Sequence, residues 1–313
     1  MPINDDLPIL SWVEKIFAYK DKQDKLHYVS VINSARGVEL LEHCRIAYTS
    51  TDIVTAINGL KNGFYAVGRA LAAFNLYMAD GSPDETLAEI NKKLKIIHKD
   101  LHWGNIFIHE KPKKWVEKGW KQDAETEYWK WQWEEAHSKE RRNELGEQKK
   151  QHQIDIEKNV DIQSNPYRIY LIDNETMMSS EDAEPFKPYP GVTRDDNIGE
   201  QLYRLYAQAM FARKIILKDE GSIDKDMAII GGFIEGYASQ FSKRQKDSII
   251  HDMIDKFIAI HNFALEAWNQ NYDYRNLFQK HLHRHISKLS LEEQRLFIWK
   301  LKEINKRLKA FQE

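Results

Sequence analysis

A short polar stretch held between two apolar runs constrains this chain more than any other feature. Residues 95–109 read KIIHKDLHWGNIFIH, with Ile96-Ile97 before and Ile106-Phe107-Ile108 after the eight residues from His98 to Asn105. Apolar runs on both sides predict β-type segments, and the polar residues between them predict a loop anchored at both ends. Far downstream, YRIYLID at residues 167–173 predicts another short apolar strand, and it ends on an acid, Asp173.

Around these segments the chain divides into a β-containing front and a helical back. KIFAY, the polar stretch KDKQDK and LHYVSVINS predict a hairpin over residues 15–35. After Arg36-Gly37 the pattern VELLEHCRIAY changes to helical spacing. A long helix is predicted from Thr51 to about Ala79, with Ser50, Thr51 and Asp52 as cap candidates. Gly59, Gly63 and Gly68 weaken that helix but permit close packing against a neighbour. Asp80-Gly81-Ser82-Pro83 marks a turn, and residues 83–95 predict a short charged helix. Residues 110–165 are dense in Lys, Glu and Gln and carry Trp115, Trp120, Trp129, Trp131 and Trp133. They predict an exposed helical insertion with one aromatic face, first as a solvated helix packed on its parent domain and second as a docking arm for a protein partner or substrate, although WKWQW also fits a strand. From Asn197 the spacing is helical through IGEQLYRLYAQAMFARKIIL, DKDMAIIGGFIEGYASQF, KDSIIHDMIDKFIAIHNFALEAW and a final stretch to Glu313. The domain expectation is a partial β front at residues 1–36, a helical lobe at residues 37–313, and the 110–165 insertion within that lobe.

With 313 residues, 42% of them hydrophobic, the chain can bury the core of one large domain or two modest ones. A formal charge of −2 supplies no global field for nucleic acid, so any anionic ligand needs a local site. No run approaches the roughly 18 apolar residues of a membrane span. MPINDDLPIL has neither a basic nor an apolar leader region, so a cytoplasmic address is expected. Cys44, the single cysteine, cannot form an internal disulfide and fits a reducing compartment.

His98, Asp100 and Asn105 fit the pattern H-x-D-x-x-x-x-N. In phosphoryl transfer the Asp of such a loop orients the attacking hydroxyl and the Asn coordinates Mg²⁺. The reaction is mostly positioning and charge neutralisation, so a second carboxylate must clamp Mg²⁺ against the phosphates. Asp173, at the end of its strand, is the candidate.

HKDLHWGNIFI followed by YLIDNE resembles the pair H-G-D-L-H-x-G-N-I and hydrophobic-I-D-x-E of the aminoglycoside phosphotransferase and choline kinase group of the protein-kinase-like fold. The resemblance implies an α+β architecture with a reduced β front and a large helical lobe, and ATP and Mg²⁺ as cofactors. On matching positions it implies Asp100 as catalytic base, Asn105 as a catalytic residue and metal ligand, and Asp173 as the main Mg²⁺ ligand. His98 would support the loop, while His102 and Gly104 would shape it. Ser34-Ala35-Arg36-Gly37 resembles the hinge, which makes Ser34 and Ala35 the residues expected to meet adenine. NGFYAVGRALAAFNLYMA resembles the long helix preceding the catalytic loop. The likeness covers about Trp12 to Tyr237, interrupted by the insertion.

Such a family places three strands, a phosphate-covering loop, an ATP-contacting Lys and a helix ahead of a strand like KIFAY. About fourteen residues precede it here, with no G-x-G-x-x-G among them, and Lys15 and Lys20 fall on the wrong strand to replace that Lys. The missing parts are expected upstream of an internal start, from a partner, or not at all in a truncated pseudoenzyme. Asn174 stands where the family triplet has an apolar residue.

The expected reaction is transfer of the ATP γ-phosphate to a hydroxyl, a small-molecule acceptor ranking ahead of a protein or lipid. Asp195, Asp196 and Glu200 either brace the loop, meet a cationic acceptor, or form a favourable charge cluster at a helix start. Two other classes remain. One is a non-catalytic kinase-like scaffold that binds a protein through the Trp-rich insertion. The other is a metal-dependent hydrolase or oxygenase, since His98, Asp100 and His102 would share one face of a strand; it lacks a further cluster, because His281, His283 and His285 alternate within a segment of helical character and would splay around the axis.

Overall fold

The computed structural model describes residues 8–10, 13–20, 26–32, 37–94, 96–98, 101–110, 167–171, 177–179, 196–212, 223–269, 283–284 and 286–312. The chain divides into two units, residues 1–108 with 169–313, and residues 109–168. In order, the elements are β1 (Ile9–Leu10), β2 (Val13–Lys20), β3 (Leu26–Ile32), β4 (Val38–Glu39), α1 (Leu40–Thr49), α2 (Ile53–Met78), α3 (Leu87–Lys93) and β5 (Ile96–His98). A 3₁₀ turn at Trp103–Asn105 leads into β6 (Ile106–Glu110), followed by β7 (Tyr167–Leu171) and β8 (Met177–Ser179). The remaining helices are α4 (Asn197–Ala212), α5 (Ile223–Ala238), α6 (Lys243–Trp268) and α7 (Leu291–Ala310). The described fold is α+β and mostly helical.

The hairpin expected from KIFAY and LHYVSVINS is present as β2 and β3, paired antiparallel from Val13 opposite Ile32 to Lys20 opposite Leu26, with a register shift between Val13 and Lys15. The other strands pair across long stretches of sequence. The order β1-β7-β6-β4 makes one sheet, in which β1 runs parallel to β7 and β4 antiparallel to β6, while β5 pairs with β8 in a separate two-stranded ladder. The two apolar runs that flank the polar loop therefore belong to different sheets. Their sequence could not show this, because apolar content marks a strand without naming its neighbour.

Helix boundaries follow local chemistry. Of the three cap candidates for α2, Asp52 takes the position: its Oδ1 accepts the backbone N–H groups of Val54 at 3.0 Å and Thr55 at 3.3 Å. At the other end Asp80 enters the left-handed region with φ 49°, which lets the Gly81 N–H reach back to the Leu76 carbonyl at 2.9 Å. The predicted turn is thus the C-terminal stop of α2. Thr86 and Glu89 form a reciprocal capping box at α3, as do Ser290 and Glu293 at α7.

The core of the helical lobe is built on the approach of α2 to α5. A Cβ added at Gly68 would lie 2.1 Å from the Phe233 carbonyl oxygen, one at Gly232 2.3 Å from that of Lys61, and one at Gly236 2.0 Å from that of Tyr65. None of these contacts admits a side chain, so the two backbones touch directly. Behind them an aromatic cluster crosses three helices: Phe257 of α6 meets Tyr206 of α4 and Phe233 of α5, both edge to face. His261 is fully buried beside them and bridges Tyr206 Oη at 3.1 Å to Asn305 Oδ1 of α7 at 2.6 Å. Among the described residues no helix is long and apolar enough to cross a membrane.

Candidate functional site

The polar loop is reached from β5 and left through β6, and its described part is held closely. The His102 carbonyl accepts the Asn105 N–H at 2.9 Å, closing the 3₁₀ turn, and His102 Nδ1 accepts the Gly104 N–H at 3.0 Å. The second bond uses an imidazole lone pair, so His102 shapes the turn with an unprotonated Nδ1. Between these residues Trp103 turns inward and meets Phe64 of α2 edge to face with ring centroids 5.3 Å apart. Leu101 is buried on the same stretch.

Two polar side chains of the motif are also buried. His98 is 1% exposed at the end of β5, and Asn105 is 7% exposed at the start of β6. Burying an amide costs free energy unless its polar atoms are engaged, so Asn105 is a fixed group rather than a surface residue. Ile106, directly after Asn105, lines a small void of about 10 Å³ together with Leu101 from the loop, Ile169 and Leu171 from β7, and Val67, Ala70 and Leu71 from α2. The first residue of β6 and the last of β7 are therefore neighbours above the middle of α2. Asp100, Asp173, Ser34 and Ala35 lie outside the described residues, as do residues 111–165 of the predicted 110–165 insertion.

Below the loop, α4 packs on β5 and its first turn is tied down from two directions. Asn91 of α3 accepts the Ile198 N–H on its side-chain oxygen at 2.9 Å. Asp196 accepts the Gly199 N–H at 2.8 Å through Oδ1, and its Oδ2 is ion-paired with Lys256 of α6. Glu200, almost fully buried, is paired with Arg204 one turn on at 2.9 Å. Of the acidic cluster, Asp196 is thus a helix cap that also links α4 to α6, and Asp195 lies outside the described residues. Nearby on α6, burial raises the Asp252 carboxyl above its ordinary value, and Lys256 opposes the shift.

Several residues of this region carry no signal that sequence reasoning could have used. Among the described residues Trp103 Nε1 is buried without a hydrogen-bond partner, and so are both amide atoms of Gln201 on α4. The link from Asn91 to Ile198 joins positions more than a hundred residues apart, with no pattern to connect them. Cys44 is fully buried on α1, where burial pushes its thiol well up. Among the described residues no three His, Cys, Asp or Glu side chains gather closely enough to hold a metal ion; of the alternating histidines, His281 and His285 lie outside those residues.

No protein-family model, curated protein or solved structure matches this chain.

Proposed function

We propose that this chain is an ATP- and Mg²⁺-dependent phosphotransferase acting on a hydroxyl acceptor, with a small-molecule alcohol or aminoglycoside as the first acceptor class and a protein or lipid as the second. The observation that carries this reading is Asn105: a buried amide on a hydrogen-bonded turn, at the head of β6, five residues after Asp100. Support comes from the strand beside it, since β7 ends next to the head of β6 and Asp173 follows that end by two residues.

An amide oxygen and a carboxylate are hard oxygen donors of the kind Mg²⁺ takes alongside phosphates. Asn105 and Asp173 would hold the ion, which when bound neutralises charge on the phosphate oxygens. Asp100 orients the acceptor hydroxyl and takes its proton while the oxygen bonds to the γ-phosphorus and the bond to ADP breaks. His98 and His102 support the loop without joining the reaction. Ser34 and Ala35 meet adenine in this reading, and the chain works in the cytoplasm.

The direct test is thermal unfolding with and without Mg-ATP. Wild type should be stabilised by nucleotide and metal together, with the midpoint rising with ligand concentration. Asp173→Ala should lose most of that rise while unfolding near the wild-type temperature without ligand. A wild-type midpoint that ignores Mg-ATP would remove the proposal.

A further inference from the structure

The helical lobe holds a second feature, remote from the loop. A cleft of about 510 Å³ opens between α2, α5, α6 and α7, and its walls include Ile57, Met227, Ile250 and Phe311. Ile57 lies about ten residues before Val67 on α2, and Val67 lines the void beneath Leu101 and Ile106. At 1.5 Å per helical residue the cleft is roughly 15 Å along α2 from the loop. It is of the size and apolar character that small-molecule sites have.

Three observations argue that the cleft receives something. Gly231 forms part of its wall, and a Cβ added there would meet nothing within 4 Å, although Gly232 next to it is pressed against the Lys61 carbonyl. The helix therefore turns a bare backbone face toward open space. Phe311 is 70% exposed at the cleft, a large apolar side chain that the fold leaves uncovered. The charges at the rim are unevenly neutralised. Asp224 is engaged by Arg307 at 2.7 Å and Glu235 by Lys61 at 3.0 Å, whereas Asp247 has no partner among the described residues. An apolar interior with one unanswered carboxylate at its edge calls for a ligand of matching form.

We infer that this cleft binds a single-tailed cationic amphiphile, its apolar body against Met227, Ile250 and Phe311 and its cationic head at Asp247. The inference stands apart from the phosphotransferase reading, because none of its residues belongs to the loop.

The experiment is calorimetric titration of the full chain with dodecyltrimethylammonium and with dodecyl sulfate, each below its micelle concentration. Wild type should bind one equivalent of the cation saturably and about tenfold more tightly than the sulfate, the difference expected when attraction at an exposed carboxylate becomes repulsion. Gly231→Ala, which fits the open space, should bind as wild type does. Gly231→Phe should fill the cleft and abolish saturable binding, with circular dichroism checking that the helices remain. Asp247→Asn should weaken the cation about two- to fivefold and shrink the preference over sulfate. Equal or tighter binding of the sulfate, unchanged binding in a folded Gly231→Phe, or the absence of saturable binding to wild type would each overturn the inference.

Discussion

Where α2 meets α5, position is set by what the residues lack. Gly68, Gly232 and Gly236 carry no side chain, and each therefore lets one helix rest on the carbonyl groups of the other. At the turn from Leu101 to Asn105, position is set by what the residues bring: a histidine nitrogen that accepts an N–H, an indole against Phe64, and a buried amide. A backbone contact tolerates no added atom but is indifferent to chemistry. A turn built from polar side chains tolerates changes of size better than changes of donor and acceptor. The lesson is that stability should be concentrated in the first region and activity in the second, and the two should be separable by mutation.

The largest expected effect tests that separation. Asp100→Ala should reduce ATP-dependent turnover by about 10²- to 10⁴-fold, the range for loss of a positioned acid–base group, with the urea midpoint close to wild type. A parallel collapse of stability would show that loop and lobe are one unit.

Next comes the buried histidine of the helical lobe. Burial holds His261 at a pKa of about 4, below its ordinary 6.5, with the Asn305 hydrogen bond pulling the other way. The folded state thus keeps the ring neutral where the unfolded chain would protonate it. Its contribution is complete above pH 6.5 and is lost as pH falls from there toward 4, to a total of roughly 3 kcal/mol. His261→Gln should remove that slope from a plot of unfolding free energy against pH while the rest of the acid transition remains.

A smaller effect compares two adjacent turns of one helix. Gly236→Ala must push α5 off the Tyr65 carbonyl and should cost about 2 kcal/mol, whereas Gly231→Ala meets open space and should stabilise by about 0.5–1 kcal/mol through helix propensity. Denaturant midpoints of opposite sign for the same chemical change would sharpen the contrast between contact and cleft. The smallest effect is expected at Trp103→Phe. It removes an indole N–H that has no partner among the described residues, along with part of the ring, so the gain and the packing loss should leave stability within about 1 kcal/mol of wild type.

Helices were legible in this sequence because their signals are local. The spacing of IGEQLYRLYAQAMFA, the Asp52 cap and the Asp80-Gly81 stop each act within a few residues, and α4, α2 and the turn after α2 appear where those signals put them. The closeness of α2 to a neighbour was also written in Gly68, although the identity of that neighbour was not; Gly59 meets open space and Gly63 faces the His43 side chain. Pairing between strands distant in sequence was illegible for the same physical reason in reverse, whereas the local β2–β3 hairpin was legible. Nothing in IIH marks Met177–Ser179 as its partner, since that pairing is decided by the whole lobe. At the site, Asn105 and His102 were legible as parts of a loop motif, while the burial of Asn105 and the tethering of α4 by Asn91 depend on elements far away in the chain. Asp100 and Asp173 rest on the motif and on their distance from described strand ends.

β6 and β7 are neighbours in one sheet although 56 residues, 111–166, separate them in sequence. From the standpoint of that sheet, whatever lies between is a connection that departs from one strand and returns at the next. The entropy of closing such a connection grows only with the logarithm of its length, about 0.6 kcal/mol per doubling. Distance along the chain is therefore a weak argument against two strands lying side by side, and the β6–β7 neighbourhood illustrates how little separation in sequence says about separation in space.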